Sequence, residues 1–360
     1  MRIISVDVEL IEVPAQEPAF SWRDGLPGSE GPTTGGWLRI RTDQGIDGFA
    51  FCPRGVILQD IVDRRLRQEL VGADPLAREL LWHRLWELDR IEYFPVYLSS
   101  VVDIALWDIA GKATGMPVHQ LLGSFRESIP AYASTATFGS VEEYLDVADQ
   151  CLELGYAGIK LHAWGDARRD ARLSEALRDH VGDDIPLMYD GSAGFDLIDA
   201  VYVGDALADA GYLWYEEPMR ESSVSAYRQL GERVKVPLLV AEVAQGAHMN
   251  TADFIATGVA SAVRAGSALR GGITGAMRAA HLADAYLLRA EVHGGGLANT
   301  HLCMAISNTS YYESLIYSNP VRRPVEVDSD GMVHAIDRPG IGYDFDAEPG
   351  PSVTFTADAE

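Results

Sequence analysis

The 360-residue sequence has few basic residues for its length, few cysteines and no long apolar run. Lysine and arginine number 29 against 53 aspartates and glutamates, which gives a formal net charge of −24 at pH 7. Because the nucleic-acid backbone is bound by a basic face, this balance argues against a nucleic-acid partner. The sequence lacks a run of the roughly 18 apolar residues that a membrane helix needs, and its N-terminus alternates apolar with polar residues, so we expect neither a membrane span nor a signal peptide.

Only three cysteines are present, Cys52, Cys151 and Cys303. Their number is odd, they are far apart, and no CxxC motif occurs. This pattern is typical of reduced thiols in a cytosolic enzyme, and it argues against a disulfide framework or a zinc site. We therefore expect a soluble, cytoplasmic protein.

Three acidic residues end three short apolar runs: Asp190 in IPLMYD, Glu216 in YLWYEE and Glu242 in VPLLVAE. Both steps, from 190 to 216 and from 216 to 242, are 26 residues. That length is about what a strand, a loop and a helix consume in a β/α barrel, so the three carboxylates should meet at the C-terminal ends of adjacent strands. Converged carboxylates repel each other unless a cation lies between them, and oxygen ligands of this kind suit Mg²⁺.

The same repeat extends along the chain in both directions and predicts a complete (β/α)8 barrel, with amphipathic helices between the strands. The second strand ends with Lys160 and His162, which a strand period of two places on one inward face. Eight strand segments are predicted, namely IPAYAST, YAGIKLH, IPLMYD, YLWYEE, VPLLVAE, SAVRAG, LLRAEVH and NTSYYESL. Glu217 follows Glu216 directly, so we expect it on the opposite face.

The residues around the barrel predict a second module. Residues 1–125 are predicted to form an α+β capping domain, residues 126–320 the barrel, and residues 321–360 a C-terminal segment whose strands return to the N-terminal sheet. The third predicted cap helix, within 96–115, should dock the cap on the barrel. A glycine- and proline-rich stretch at 16–36 is too long for an ordinary connection, and its two aromatic residues favour an active-site lid over a disordered excursion.

These motifs together resemble the enolase superfamily, and the mandelate racemase subgroup in particular. The resemblance covers essentially the whole chain, including YEEP around Glu216, GGITGAMRAAHLA after the sixth strand and the closing RPGIGYDFD. It implies Mg²⁺ held by Asp190, Glu216 and Glu242, with a substrate carboxylate completing the coordination and an enediolate formed when the α-proton is removed. Lys160 is then the expected base, because burial and a nearby cation disfavour its ammonium form.

The resemblance also assigns His293, at the end of the seventh strand, as acid or base on the face opposite Lys160. Relatives orient this histidine with an aspartate where this chain has Gly266, so we expect His293 to be less basic here. His162 is interpreted as a second acid or base, a hydrogen-bond donor to substrate, or a packing residue. We expect substrate contacts from Trp22, Arg23, Arg264 and His248, and structural roles for His281 and His301.

The hypothesis is a magnesium-dependent lyase that removes water from a sugar acid, since one base and one acid suffice for that reaction. The first alternative is a racemase or epimerase of a 2-hydroxy acid, which needs two competent bases. The second alternative is a barrel that binds a metal and an acid without turnover. The expected partners are a small carboxylate substrate and, from the resemblance, further copies of the same chain.

Overall fold

The computed structural model describes residues 1–344. The chain begins with a three-stranded antiparallel sheet of β1 (Ile3–Val13), β2 (Thr33–Thr42) and β3 (Asp47–Cys52), in that order. The turn between β2 and β3 contains Gly45 with a φ of 70°, a conformation that glycine adopts without steric cost. The alternating pattern of the sequence buries one face of this sheet.

Five helices follow the sheet. They are α1 (Gly55–Ile61), continued by a π-helical segment (Val62–Leu66) and α2 (Arg67–Leu70), then α3 (Arg78–Glu92), α4 (Val96–Thr114) and α5 (Val118–Leu122). Helix α4 ends at Gly115, whose left-handed conformation and the following Met116-Pro117 stop it as predicted. Its Asp103 accepts hydrogen bonds from the backbone nitrogen and the hydroxyl of Thr274 in the barrel, at 2.9 and 2.6 Å. The prediction that this helix docks the cap on the barrel is therefore confirmed.

A parallel barrel makes up the next part of the chain, and all eight predicted strand segments form strands. The strands are β4 (Ser128–Thr135), β5 (Ile159–His162), β6 (Leu187–Asp190), β7 (Trp214–Glu216), β8 (Leu238–Val240), β9 (Ala262–Arg264), β10 (Arg289–Glu291) and β11 (Tyr312–Ile316). The helices between and after them are α6 (Val141–Glu153), α7 (Ala167–Val181), α8 (Leu197–Asp209), α9 (Val224–Gly231), α10 (Ala247–Ala256), α11 (Gly272–Ala285) and α12 (Leu297–Ala305).

The strand ladders run in chain order from β4 to β10, and β11 pairs with β4. The seam between β10 and β11 is held by other hydrogen bonds. Ala290 donates its backbone N–H to the carbonyl of Asn308 at 3.0 Å, and the buried Glu291 accepts from the backbone of Ser310 at 3.0 Å. These bonds close the sheet, so the C-terminal ends of all eight strands face one mouth.

The C-terminal segment corrects one prediction. Its strand, β12 (Met332–His334), pairs antiparallel with Ser128–Pro130 at the start of β4 and does not join the N-terminal sheet. The start of β4 is available because β5 pairs only with Ala133 and Ser134 further along that strand. The segment still reaches the cap as irregular chain, since Ile341 donates its N–H to Asp108 of α4 at 2.9 Å. Residues 345–360 of the predicted segment lie outside the described residues, and the domain limits at 125 and 320 stay predictions.

Two further expectations concern the chain as a whole. Cys52, Cys151 and Cys303 are all buried and free, in agreement with the prediction of unpaired thiols. Among residues 1–344, no helix combines the length and the apolar character needed to cross a membrane.

Candidate active site

The barrel brings the predicted carboxylates together at its C-terminal mouth. Asp190 ends β6, Glu216 ends β7, and Glu242 follows β8 by two residues. One oxygen from each of the three lies within 4.8 Å of the others. The predicted convergence is confirmed: Asp190 and Glu216 are register partners on β6 and β7, and Glu242 reaches the same cluster from two residues beyond the end of β8.

This cluster fits a hard divalent cation. Its donors are all carboxylate oxygens, and Glu242 Oε2 is buried without any hydrogen-bond partner among the described residues. Both oxygens of Glu216 already accept from Arg264, and one of them also accepts from Lys160. Since each carboxylate oxygen has two lone pairs, Asp190, Glu216 and Glu242 retain the capacity to hold Mg²⁺.

Lys160 lies at the bottom of the mouth, wholly buried among carboxylates. Its Nζ is 3.1 Å from Asp190, 2.9 Å from Glu216 and 2.7 Å from Glu313. Burial by itself lowers the pKa of Lys160, but the attraction of these carboxylates outweighs it and raises that pKa well above the usual value. The sequence predicted a neutral amine for Lys160, because Glu313 was not among the residues expected beside it.

Glu313 on β11 is the site residue that the sequence analysis missed. It is buried, and in addition to Lys160 it accepts the backbone N–H of Gly294 at 2.7 Å. Burial raises its pKa, but Lys160 and Arg264 outweigh burial and hold it well below the usual value. A signal was present, because Glu313 is the only acidic residue in the segment NTSYYESL that was predicted as the eighth strand.

His162 lines the mouth beside Asp190. Its Nδ1 is 2.8 Å from the carbonyl oxygen of Thr135, and its Nε2 is 3.0 Å from Asp190. Because a carbonyl can only accept, Nδ1 carries a hydrogen, and Nε2 faces the cavity edge. The ring of Trp22 packs 4.5 Å from the imidazole, which fixes its orientation further.

His293 is oriented by a group that the sequence analysis did not identify. Its Nε2 is 3.0 Å from Glu242, one of the three clustered carboxylates. Burial lowers the pKa of His293, but Glu242 outweighs it and raises that pKa above the usual value, opposite to the predicted loss of basicity. Gly266 cannot simply be replaced by the aspartate of relatives, because a Cβ there would lie 2.8 Å from the carbonyl oxygen of His293.

Two residues expected to contact substrate point elsewhere. Arg264 is only 1 % exposed, and its guanidinium donates to Glu216, to the carbonyl of Val292 at 3.2 Å and to the hydroxyl of Tyr132 at 3.2 Å. The ring of His248 packs 5.8 Å from that of Trp82 on cap helix α3. Neither side chain lines the cavity at the mouth.

The glycine- and proline-rich loop covers the mouth. Asp24 donates its backbone N–H to the carbonyl of Trp164 at 3.3 Å, and Trp22 and Leu26 line the cavity. Arg23 donates to the carbonyl of Ser192 at 3.1 Å and lies against Gly194, where a Cβ would come within 3.0 Å of its side chain. Arg23 thus fastens the loop to the barrel, and Trp22 is the aromatic residue that faces the cavity.

The cavity at the mouth measures about 380 Å³. Glu217 lines it, contrary to the expectation that strand alternation turns this side chain away. The backbone of Glu217 has a φ of 38°, which breaks the alternation one residue after Glu216. Its Oε1 is buried and has no hydrogen-bond partner in the described part of the chain, and burial together with Glu242 and Asp190 raises the pKa of Glu217 well above the usual value.

Comparison with known proteins agrees with this architecture. Residues 143–349 match the family described as enolase C-terminal domain-like, and residues 33–123 match the N-terminal domain of the mandelate racemase / muconate lactonizing enzyme family. The chain therefore belongs to the mandelate racemase group of the enolase superfamily.

Individual relatives include several enzymes of sugar acids. A D-galactonate dehydratase family member from Pseudarthrobacter chlorophenolicus is 28% identical over 368 residues, covering 86% of this chain and 89% of that protein. A 3,6-anhydro-alpha-L-galactonate cycloisomerase from Streptomyces coelicolor is 30% identical, with the same coverage of both chains. Among solved structures, D-glucarate dehydratase from Agrobacterium tumefaciens, complexed with magnesium, superposes on this chain with a TM-score of 0.88. The two sequences are 32% identical, and the match covers 95% of this chain and 96% of the other.

Proposed function

We propose that this chain is a magnesium-dependent dehydratase of sugar acids. The observation that carries the proposal is the cluster of groups at the barrel mouth, in which Asp190, Glu216 and Glu242 lie beside Lys160 and His293. The names of the relatives support the same reaction class, since they include a D-galactonate dehydratase family member, a D-mannonate dehydratase and a D-glucarate dehydratase.

Asp190, Glu216 and Glu242 would hold the cation. A divalent cation there would supply electrostatic stabilisation of the negative charge that develops on the substrate carboxylate as the α-proton leaves. The chain's own residues exclude water and position the substrate. Trp22 and Leu26 cover the cavity, while the clamp of Arg23 on Ser192 keeps the covering loop against the barrel.

We assign removal of the α-proton to Lys160 and protonation of the departing hydroxyl to His293. Lys160 Nζ lies 2.9 and 3.1 Å from two of the carboxylates that would hold the cation, so cation and ammonium compete for the same oxygens. This competition favours the neutral amine when the cation is present. His293 lines the cavity, and its bond to Glu242 favours the protonated ring that an acid requires.

The enzyme would be tested with a panel of sugar acids in the presence of Mg²⁺, with formation of the 2-keto-3-deoxy acid measured as its semicarbazone. We expect activity that is lost with EDTA and in the Asp190→Asn and Lys160→Ala variants. His162 is the competing candidate for the base, because it lines the cavity and Lys160 does not. Loss of α-proton exchange in His162→Asn, with exchange retained in Lys160→Ala, would reverse the assignment.

Racemisation is the second candidate. The observation in its favour is the contact of His293 with Glu242, which orients this ring even though the aspartate of relatives is absent. A product that keeps its β-hydroxyl and is inverted at the α-carbon would establish it in place of dehydration. Metal binding without turnover of any acid would favour the non-catalytic barrel.

A further inference from the structure

The cavity at the mouth has two chemically different ends. Its inner end holds the clustered carboxylates and the two histidines. Its outer wall is apolar and comes from separate parts of the chain, with Trp22 and Leu26 from the covering loop, Val243 beyond β8 and Leu315 on β11. Leu315 lies two residues after Glu313, so the strand period places both on the same face, with Leu315 nearer to the mouth.

Cationic side chains are missing from this wall. Within residues 1–344, no lysine or arginine lines the cavity. Lys160 and Arg264 lie behind the lining, 0% and 1% exposed, and both are ion-paired with Glu216 and Glu313. The guanidinium of Arg23 donates to the backbone carbonyls of Ser192 and Asp24, so backbone oxygens of the barrel and of the loop occupy its donors.

Carboxyl groups, in contrast, are abundant. Asp190, Glu217, Glu242 and Glu313 all line the cavity, and the buried Glu217 Oε1 and Glu242 Oε2 have no hydrogen-bond partner within residues 1–344. A cation at the inner end would balance one substrate carboxylate. A second carboxylate on the same substrate would face apolar side chains and carboxyl groups with no lysine or arginine among them, so its lost hydration is not replaced.

Resting on the proposed function, we propose that the substrate is a sugar acid with a single carboxylate, whose remote end is uncharged, and that sugar diacids are rejected. The apolar wall accepts a hydroxymethyl or methyl end and offers no partner for a second carboxylate. This restriction narrows the proposed function, because the relatives include both a D-mannonate dehydratase, named for a monoacid, and a D-glucarate dehydratase, named for a diacid.

The test uses pairs of substrates that differ only at the remote carbon. Galactonate is compared with galactarate, and gluconate with glucarate, in saturating Mg²⁺, with kcat/KM measured from keto-acid formation. For the pair that is turned over, we expect the monoacid to be favoured at least about 100-fold, since a like-charge contact and an unpaired carboxylate each act against the diacid. The 6-deoxy form of galactonate should show a KM equal to or below that of galactonate. A diacid that is used as well as its monoacid would overturn the inference and leave dehydration standing.

Calorimetric titration of the magnesium-loaded protein with the same acids separates this inference from the proposed function. Tighter binding of the monoacid without turnover would support the inference and refute dehydration. Tighter binding of the diacid would refute the inference whether or not turnover occurs, and binding of neither acid would refute both.

A charge variant tests the cause of the selectivity. Leu26 is half-buried on the covering loop, where a longer side chain has access to solvent. Leu26→Arg should improve diacid binding relative to monoacid binding at least about 10-fold, whereas the matched neutral variant Leu26→Gln should not. Equal effects of the two variants would show that charge at this wall does not select the substrate.

Discussion

We expect substitution of Glu221 to have the largest effect on the site of any residue outside it. Glu221 is 2% exposed, and its carboxylate accepts the backbone N–H groups of Ala241, Val243 and Ala244, the last two at 2.9 and 3.2 Å. These groups flank Glu242 on both sides. The Glu221 carboxylate therefore fixes the turn that aims Glu242 at the cluster. We predict that Glu221→Gln, a change of nearly equal shape, weakens both the fold and the binding of Mg²⁺.

The magnitude follows from the hydrogen bonds that are lost. A carboxylate offers two acceptor oxygens, whereas a glutamine offers one and turns an NH₂ group toward backbone donors. Burial raises the pKa of Glu221 to about 7, so the carboxylate is charged above that pH. There a hydrogen bond to a charged group contributes roughly 1.5–3 kcal/mol, and the loss of one or two of the three bonds costs about 3 kcal/mol of the free energy of unfolding. Loss of a partner that orients a metal ligand lowers metal affinity by roughly 10- to 100-fold.

Two assays separate these effects. Urea unfolding without metal measures the change in stability, and calorimetric titration with Mg²⁺ under native conditions measures affinity. The control is Glu232→Gln, which removes an exposed carboxylate whose nearest cation, Arg228, is 3.7 Å away. An unchanged Mg²⁺ affinity in Glu221→Gln, with stability reduced, would refute the positioning role and leave Glu221 as a structural residue only.

Three further predictions follow from other parts of the chain. Deletion of residues 20–30 should raise KM and lower kcat together, because Trp22 and Leu26 are then lost from the cavity; an unchanged kcat/KM would contradict the lid role. Gly266→Asp should lower the urea midpoint relative to wild type, because its Cβ would come 2.8 Å from the His293 carbonyl oxygen, and an unshifted midpoint would show that the strand yields without cost. His301 is buried, and burial lowers its pKa to about 4, so the stability that the neutral ring contributes is complete above about pH 6.5 and falls by about 3 kcal/mol as the pH drops to 4. The pH dependence of urea unfolding should flatten in His301→Asn across that window, and identical slopes in both proteins would exclude this contribution.

The barrel and its acidic cluster could be predicted because both depend on spacing. A regular repeat of strand, loop and helix sets the position of each strand, and the steps between Asp190, Glu216 and Glu242 bring each of them to the C-terminal end of its strand or just beyond it. Strand position and the spacing of the carboxylates depend on the local sequence, and they can be predicted without knowing which side chains meet across the barrel.

The pairing of charges inside the mouth could not be predicted in this way. Arg264 and Glu216 are 48 residues apart and meet because β9 and β7 belong to one closed sheet, so that a long side chain reaches across β8. The same closure places Glu313 of the last strand beside Lys160 of the second. Such contacts depend on side-chain reach across the barrel, which strand spacing alone does not determine.

The two other differences between prediction and structure, at Glu217 and at β12, have separate local causes. Glu217 faces the cavity because its φ of 38° interrupts the strand, although strand alternation predicts the opposite face. Strand β12 pairs with β4 because β5 leaves the start of that strand free, which the alternating pattern of the C-terminal segment does not reveal. A pattern of apolar and polar residues predicts that a segment is a strand, but several unpaired edges compete for it.

The carboxylates, the lysine and the histidine at the barrel mouth are proposed to remove water from a sugar acid. Proton NMR of the reaction in deuterated water, with Mg²⁺ and a monoacid substrate such as galactonate, tests this proposal most directly. We predict that the wild type forms a 2-keto-3-deoxy product that has lost the α-proton and carries solvent deuterium at C3, and that Lys160→Ala does not form it. Deuterium at the α-carbon of an acid that keeps all its hydroxyl groups, with no keto product from any acid of the panel, would contradict dehydration.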